Sequence, residues 1–310
     1  VALIIVFIFG INIAGGIPAV VENAQSLPGY LTMMTTYDPV AGVEQPYPII
    51  NIISMIAWGL GYFGMPHILL RFMAIEDEEK LTLSRRVATI WVVISLAVAV
   101  LIGVIGLAMS DVGALKTLTG SDSETIIVQI ADLLSKHGIL PALLAGTILA
   151  GILASTMSTA DSQLLAASSA VSSDLFGDRV AKTGDKKKAM NAARFTLLAI
   201  AVIAAFIARD PNSSVFGIVS FAWAGFGAVF GPVVLFALFW RRSNWQGALA
   251  GMISGGAMVF IWKYLVRPLG GVWNIYELLP AFSVSCLMIV IVSLLTKAPS
   301  KEITEEFDRV

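Results

Sequence analysis

The chain has 310 residues, is 57% hydrophobic and only 13% charged, and has a mean hydropathy of +0.85. A soluble domain carries roughly 25% charged residues, so a chain this apolar has too little polar surface to cover itself, and water is not its main solvent; soluble-enzyme and disordered classes are excluded. The net charge of −1 and the single cysteine, Cys286, exclude a basic nucleic-acid footprint, a disulfide framework and a thiolate metal site.

A helix needs about 20 mainly apolar residues to cross the hydrocarbon core. Eight stretches qualify: 1–20, 48–72, 87–109, 139–172, 190–208, 215–240, 246–264 and 276–296. The first opens at Val1 inside an apolar run, with no charged n-region or cleavage site, and reads as the second half of a membrane helix rather than a signal peptide. None reads as a strand, because lipid requires backbone polar groups to be satisfied within the segment. The stretches 48–72 and 139–172 exceed the needed length, which predicts tilt, a break or extension past the bilayer. The loop 21–48, with SLPGY, DPVAG and QPYP, reads as irregular. Residues 124–136 place Ile126, Ile127, Ile130, Leu133 and Leu134 at helical spacing, a short amphipathic helix on the protein or the interface. The tail 297–310 reads as a solvated end.

The connections alternate in charge. Fifteen of the 20 Lys and Arg residues fall on one side, including Arg71, Arg85, Arg86, Arg179, Lys182, Lys186, Arg241 and Lys297. The other side holds Lys116, Lys136, Arg209, Lys263 and Arg267. The positive-inside rule places the fifteen, and the C-terminal tail, in the cytoplasm of a multi-pass plasma-membrane protein.

Two spans carry helix-breaking residues. In NIISMIAWGLGYFGMPHILLRFM, Gly59, Gly61, Gly64 and Pro66 fall close together. Glycine costs about 1 kcal/mol and proline about 3 kcal/mol in a helix interior. One reading is a proline kink packed through glycines. The other is a discontinuous helix whose freed backbone groups face a substrate cavity. Trp58, Tyr62 and Pro66, at i, i+4 and i+8, favour the second: on a helix they make one stripe of flat apolar faces with polar handles. Unwinding at Gly59–Gly61 would spoil that regular stripe. The span VFGIVSFAWAGFGAVFGPVVLFALFW repeats the theme with Gly217, Gly225, Gly227, Gly231 and Pro232, either as a gate or as a closely packed kinked helix.

The fourth span holds a hydroxyl-rich face. Ser155, Ser158, Thr159 and Ser162 lie at i, i+3, i+4 and i+7, and Asp161 leans to the same side. Hydroxyls alone fit back-bonding or close packing. A carboxylate among them costs about 2.5–3.5 kcal/mol on insertion scales and marks a candidate site. The chain has only two histidines, His67 and His137, and no Cys/His cluster, so a soft metal is disfavoured. A small monovalent cation held by hydroxyls and carbonyls fits best, with Asp161 serving an ion or a proton; a polar packing face is the alternative.

Several of these stretches resemble the sodium:solute symporters. GILASTMSTADSQLLAASSA resembles their eighth core helix, and AWGLGYFGMPHILLRFMA resembles the sixth core helix of the sodium/proline branch. AWAGFGAVFGPVVLF with WRRSNWQGALAGMISGGA resembles the tenth core helix and the family signature after it. The ending LLTKAPS agrees as well.

The resemblance implies an all-α integral membrane fold, the second half of a five-plus-five inverted-repeat transporter core. Residues 1–20 would end core helix five, 48–240 would form core helices six to ten, 246–296 two trailing helices and 297–310 a cytoplasmic tail, all in one N-terminally truncated membrane domain. A broken first helix, supplying the rest of both sites, would lie outside the chain. The implied sodium ligands are the Ser158 and Thr159 hydroxyls and the Ser155 carbonyl, where the family usually has Ala. Asp161 and Ser162 match a second ion or proton site, with Asp161 standing where other members have a hydroxyl. Trp58, Tyr62 and Pro66 are the implied proline contacts.

The expected function is sodium-coupled uptake of L-proline by alternating access, with sodium and the bilayer as partners. No enzyme activity, nucleic acid or obligate protein partner is expected. The alternatives are a sodium symporter of another small solute, such as pantothenate, another amino acid or an organic acid, or a membrane solute sensor that does not transport.

Overall fold

The structure is a computed structural model, and it describes residues 2–171, 186–209 and 214–308. The basic residues Arg179, Lys182 and Arg309 lie outside the described residues. The helices are α1 (Ala2–Ile13), α2 (Ile17–Ser26), α3 (Ile49–Ala57), α4 (Pro66–Met73), α5 (Lys80–Asp111), α6 (Ile126–Ser135), α7 (Ile139–Ala170), α8 (Lys186–Ile207), α9 (Val215–Phe239), α10 (Trp245–Ile261), α11 (Leu278–Leu295) and α12 (Lys301–Phe307). A two-stranded hairpin, β1 (Thr35–Asp38) and β2 (Val43–Pro46), is the one sheet among the described residues. Six helices are long and apolar enough to cross a membrane, or eight spans if each of two bent helix pairs counts as one. The protein is thus an all-α integral membrane protein. It forms two compact units, residues 1–45 with 76–215 and residues 46–75 with 216–310.

In the first unit, α1, α2, α5, α6 and α7 share a core of Val6, Val20, Ile105, Met109, Ile130 and Ile148 among others. Gly10 lets α1 close on α5, since a Cβ there would stand 2.6 Å from Ile105 Cγ2. The run 1–20, expected as one span, is instead bent by 77° between Ile13 and Ile17. Gly15 (φ 94°) and Gly16 (φ 99°) take left-handed conformations that other residues resist, and Pro18 stands in the first turn of α2. The amphipathic helix expected at 124–136 is α6, with Ile130, Ala131 and Leu134 buried.

The loop 21–48 is more ordered than its prolines and glycines suggest. The helix α2 occupies its start, and the hairpin closes around Asp38, whose carboxylate accepts the N–H groups of Val40 (2.9 Å) and Ala41 (3.1 Å) and Nε2 of Gln45 (2.8 Å). The backbone bonds from Ala41 and Val40 hold the Asp38 carboxyl below its ordinary pKa.

The second unit is organised by α9, α10 and α11. Gly247, Gly251 and Gly255 make a small-residue stripe along α10 that receives Ser285, Ile289 and Ser293 of α11. A Cβ at Gly247 or Gly251 would overlap these side chains. This is the close approach that small-xxx-small spacing permits in a membrane. The Ser285 hydroxyl, fully buried, donates to the Gly251 carbonyl at 2.9 Å. Asn244 ties the two ends. Its Oδ1 caps α10 through Gly247 N–H (2.8 Å), and its Nδ2 donates to Thr296 Oγ1 and to the Lys297 carbonyl, both at 2.8 Å. Arg242 adds a bond to the Thr296 carbonyl at 2.8 Å. The signature WRRSNWQG and the ending LLTKAPS are therefore one structural knot. The tail carries the short helix α12, capped by Ser300.

Gly251→Ala in the full-length protein is expected to cost about 1–3 kcal/mol by overpacking against Ile289. Gly256→Ala, where a Cβ would meet only Val229 Cγ2 at 3.3 Å, is expected to cost less. Thermal unfolding in detergent checks the pair; equal midpoints for both variants would count against the packing argument.

Candidate functional site

The second span is broken. After α3 the backbone tightens into a 3-10 helix over Trp58–Gly64 and becomes extended at Met65 (φ −83°, ψ 112°) before α4 starts at Pro66. The two halves, Ile49–Gly64 and Pro66–Met73, meet at 52°. Proline disfavours the helical conformation in the residue before it, which accounts for Met65.

The glycines fix where the break rests. A side chain at Gly61 would overlap the Trp223 indole, and one at Gly64 would strike the α9 backbone, with Gly227 Cα at 2.8 Å and Gly231 N at 2.9 Å. The α9 glycines therefore form the seat on which the broken span packs backbone to backbone. Trp223 Nε1 donates to the Trp58 carbonyl at 3.0 Å, so an indole satisfies a carbonyl at the start of the tightened turn.

This geometry changes the aromatic stripe. A 3-10 helix turns about 120° per residue, so positions 58 and 62 do not share a face as they would on an α-helix. Trp223 joins them instead: its indole stacks on Trp58 at 5.5 Å and meets Tyr62 edge-on at 4.8 Å. Trp58 also stacks with Phe216 (5.3 Å) and Tyr276 (5.9 Å). The result is an aromatic wall in which Trp58 is half-buried and Tyr62 is 51% exposed. Pro66, exposed, opens α4 on the far side of the break. His67 follows it half-buried, and Arg71 lies exposed in the last turn of α4.

Phe216, Trp223 and Tyr276 were not singled out from the sequence. Trp223 carried a usable signal, since it lies mid-span in FAWAG as Trp58 does in AWGLG, away from the interfacial belts where aromatics concentrate. Tyr276 carried none, because only the fold brings it to Trp58.

The oxygen face belongs to the first unit. Ser155, Ser158, Thr159, Asp161 and Ser162 all lie on α7, which runs unbroken, and every residue from 151 to 163 is exposed. Thr159 Oγ1 donates to the Ser155 carbonyl at 3.2 Å, and Ser162 Oγ donates to the Ser158 carbonyl at 3.0 Å. The back-bonding alternative thus describes two of the hydroxyls. The same geometry sets the oxygens of the Ser155 carbonyl and the Thr159 hydroxyl side by side. Among the described residues no group of three or more His, Cys, Asp or Glu gathers to hold a metal.

Both residue groups lie inside residues 1–255, the stretch that matches the sequence profile of the sodium:solute symporter family. The chain belongs to the sodium:solute symporter family. It is 41% identical over 261 residues to the high-affinity proline transporter PutP of Bacillus subtilis, covering 84% of this chain and 52% of that protein. It is 42% identical over 259 residues to the sodium/proline symporter of Salmonella typhimurium, covering 83% of this chain and 50% of that one. To the sodium/proline symporter of Escherichia coli it is 41% identical over 259 residues, covering 83% and 50%. The chain spans about half the length of these relatives.

Trp223→Phe keeps a ring but deletes the N–H that reaches the Trp58 carbonyl. In the full-length protein it is expected to lower stability by about 1 kcal/mol, read as a fall in the thermal midpoint. An unchanged midpoint would show that the bond to Trp58 does not hold the broken turn.

Proposed function

We propose that the full-length protein takes up L-proline together with sodium across the plasma membrane by alternating access. The observation that carries this reading is the span broken at Met65 with Trp58 and Tyr62 gathered on one indole, in a family member whose relatives include sodium/proline symporters. An interrupted helix with freed backbone groups is the form that binding sites take near the midplane of such transporters.

In this reading Trp58, Tyr62 and Pro66 contact proline. The flat rings receive the apolar face of the pyrrolidine, and their electron-rich faces favour its cationic amine. The Ser158 and Thr159 hydroxyls and the Ser155 carbonyl hold sodium, and Asp161 with Ser162 forms a second ion or proton site. Residues 48–240 act as core helices six to ten of an inverted-repeat core, 1–20 as the end of helix five and 246–296 as trailing helices, with the C-terminal tail in the cytoplasm.

Sodium drives uptake only through its different affinities for the two transport shapes. Its binding ties α7 to the first core helix of the full-length protein, favours the outward-open shape and completes the proline pocket. No covalent step is involved.

Proteoliposomes of the full-length protein loaded without sodium are expected to accumulate labelled proline only when an inward sodium gradient is imposed. Uptake indifferent to sodium would overturn the reading, and an absence of counterflow would instead indicate a solute sensor. Ser158→Ala/Thr159→Ala is expected to raise the sodium half-saturation at least about tenfold, the equivalent of roughly 1.4 kcal/mol; wild-type sodium affinity would remove these hydroxyls from the site. Trp58→Ala is expected to weaken proline affinity more than sodium affinity, and equal losses would count against a substrate contact.

A further inference from the structure

The family match ends at residue 255. Beyond it, a charged cluster stands directly behind the aromatic wall. Glu277 is 1% exposed, yet it is a carboxylate in an apolar unit. Arg267 Nη1 meets its Oε2 at 2.9 Å and Lys263 Nζ approaches its Oε1 at 3.9 Å. Lys263 also stands over the Phe221 ring at 3.8 Å, and Arg267 Nε donates to Asn274 Oδ1 at 3.0 Å. A buried carboxylate persists only when it is paired in this way.

The neighbour of this glutamate is Tyr276, itself 6% exposed. Its ring stacks on Trp58 at 5.9 Å. Its hydroxyl donates to the Ser220 carbonyl of α9 at 2.6 Å, and its backbone N–H donates to Ser54 Oγ of α3 at 3.0 Å. Ser54 in turn donates to the Ile50 carbonyl at 2.7 Å. One residue therefore touches the first half of the broken span twice, at Ser54 and at Trp58, and touches the α9 seat once. The ion pairs of Glu277 fix the backbone on which Tyr276 stands.

We infer that Tyr276 is a positioning residue for the proline pocket, held in place by the Glu277–Arg267–Lys263 cluster, so that a trailing segment outside the family match sets the orientation of Trp58. This rests on the reading of Trp58 as a proline contact. The chemistry follows from the contacts. Trp58 lies where the helix has tightened, and its ring packs against three neighbouring rings that orient it. Of its three stacked neighbours, Tyr276 is the one with its hydroxyl and its N–H both anchored, one to α9 and one to α3. Loosening it lets the Trp58 ring turn and weakens proline binding without touching a sodium ligand.

The test uses purified full-length protein, measuring proline binding at saturating sodium and sodium half-saturation at fixed proline. Tyr276→Phe and Glu277→Gln are expected to raise the proline Kd about three- to tenfold while shifting sodium half-saturation less than about twofold, and Glu277→Asp is expected to recover most of the loss. Tyr276→Phe and Trp58→Phe combined are expected to be non-additive by at least about threefold, whereas Tyr276→Phe with Ser158→Ala is expected to be additive. Should Tyr276→Phe and Glu277→Gln bind proline like the wild type while Trp58→Ala does not, the positioning role is overturned and the substrate reading stands. Should Trp58→Ala also bind like the wild type, both fall together. Parallel losses of proline and sodium affinity would reduce the cluster to a general support and overturn the inference.

Discussion

The second unit depends on a contact between two backbones. Gly61 and Gly64 of the broken span lie against Gly227 and Gly231 of α9 at distances that leave no room for a Cβ. In lipid there is no hydrophobic force between helices, so close packing and internal hydrogen bonds must supply the cohesion. A span with a 3-10 turn and an extended residue has lost part of its own bonding ladder. It persists because α9 approaches closely enough to cover the break and to give a donor, Trp223 Nε1, to the Trp58 carbonyl. The same logic recurs between α10 and α11, where the glycine stripe admits Ser285 to the Gly251 carbonyl. Glycine in these spans weakens the isolated helix and strengthens the packed one.

Polar groups within the described residues follow a consistent accounting. No buried side-chain nitrogen or oxygen among them lacks a partner. Asn244 spends both ends of its amide on joining α10 to the end of α11. Lys136 pairs with Asp132 at 2.8 Å, and Lys263 and Arg267 pair with Glu277. The exposed pair Lys136–Asp132 contributes little, as surface ion pairs do. The Glu277 pairs are different, because removing Arg267 would leave a nearly sealed carboxylate with only Lys263 at 3.9 Å.

Legibility in the sequence followed the kind of signal. Long apolar runs located most spans to within a few residues, since span length is set by bilayer thickness and not by partners. The break at Met65 was readable because Gly59, Gly61, Gly64 and Pro66 act locally. The same signal stood at Gly15, Gly16 and Pro18, where the apolar run around it pointed to a single continuous helix; the left-handed φ values at the two glycines separate α1 from α2. The stripe of Trp58, Tyr62 and Pro66 was read on α-helical spacing, and the 3-10 turn removed its regularity while Trp223 brings only Trp58 and Tyr62 together. The hairpin escaped because its order comes from one side chain, Asp38, gathering three donors, a feature that composition does not encode. Tyr276 escaped because its role exists only through contacts distant in sequence.

The two residue groups also differ in backbone, and the difference has a physical reason. In the proposed function a zwitterion calls for freed amide groups, and the aromatic residues sit beside an interrupted helix. In the same proposal sodium needs hard oxygens at fixed spacing, and the unbroken helix α7 would supply them. On α7 the Thr159 hydroxyl rests on the Ser155 carbonyl, which leaves the hydroxyl's lone pairs directed away from the helix axis. Under the proposed function, a sodium ion approaching from outside would meet those lone pairs first and compete with the hydroxyl proton for the carbonyl. A site built this way would exchange its ion without unfolding its helix, as the proposed coupling requires.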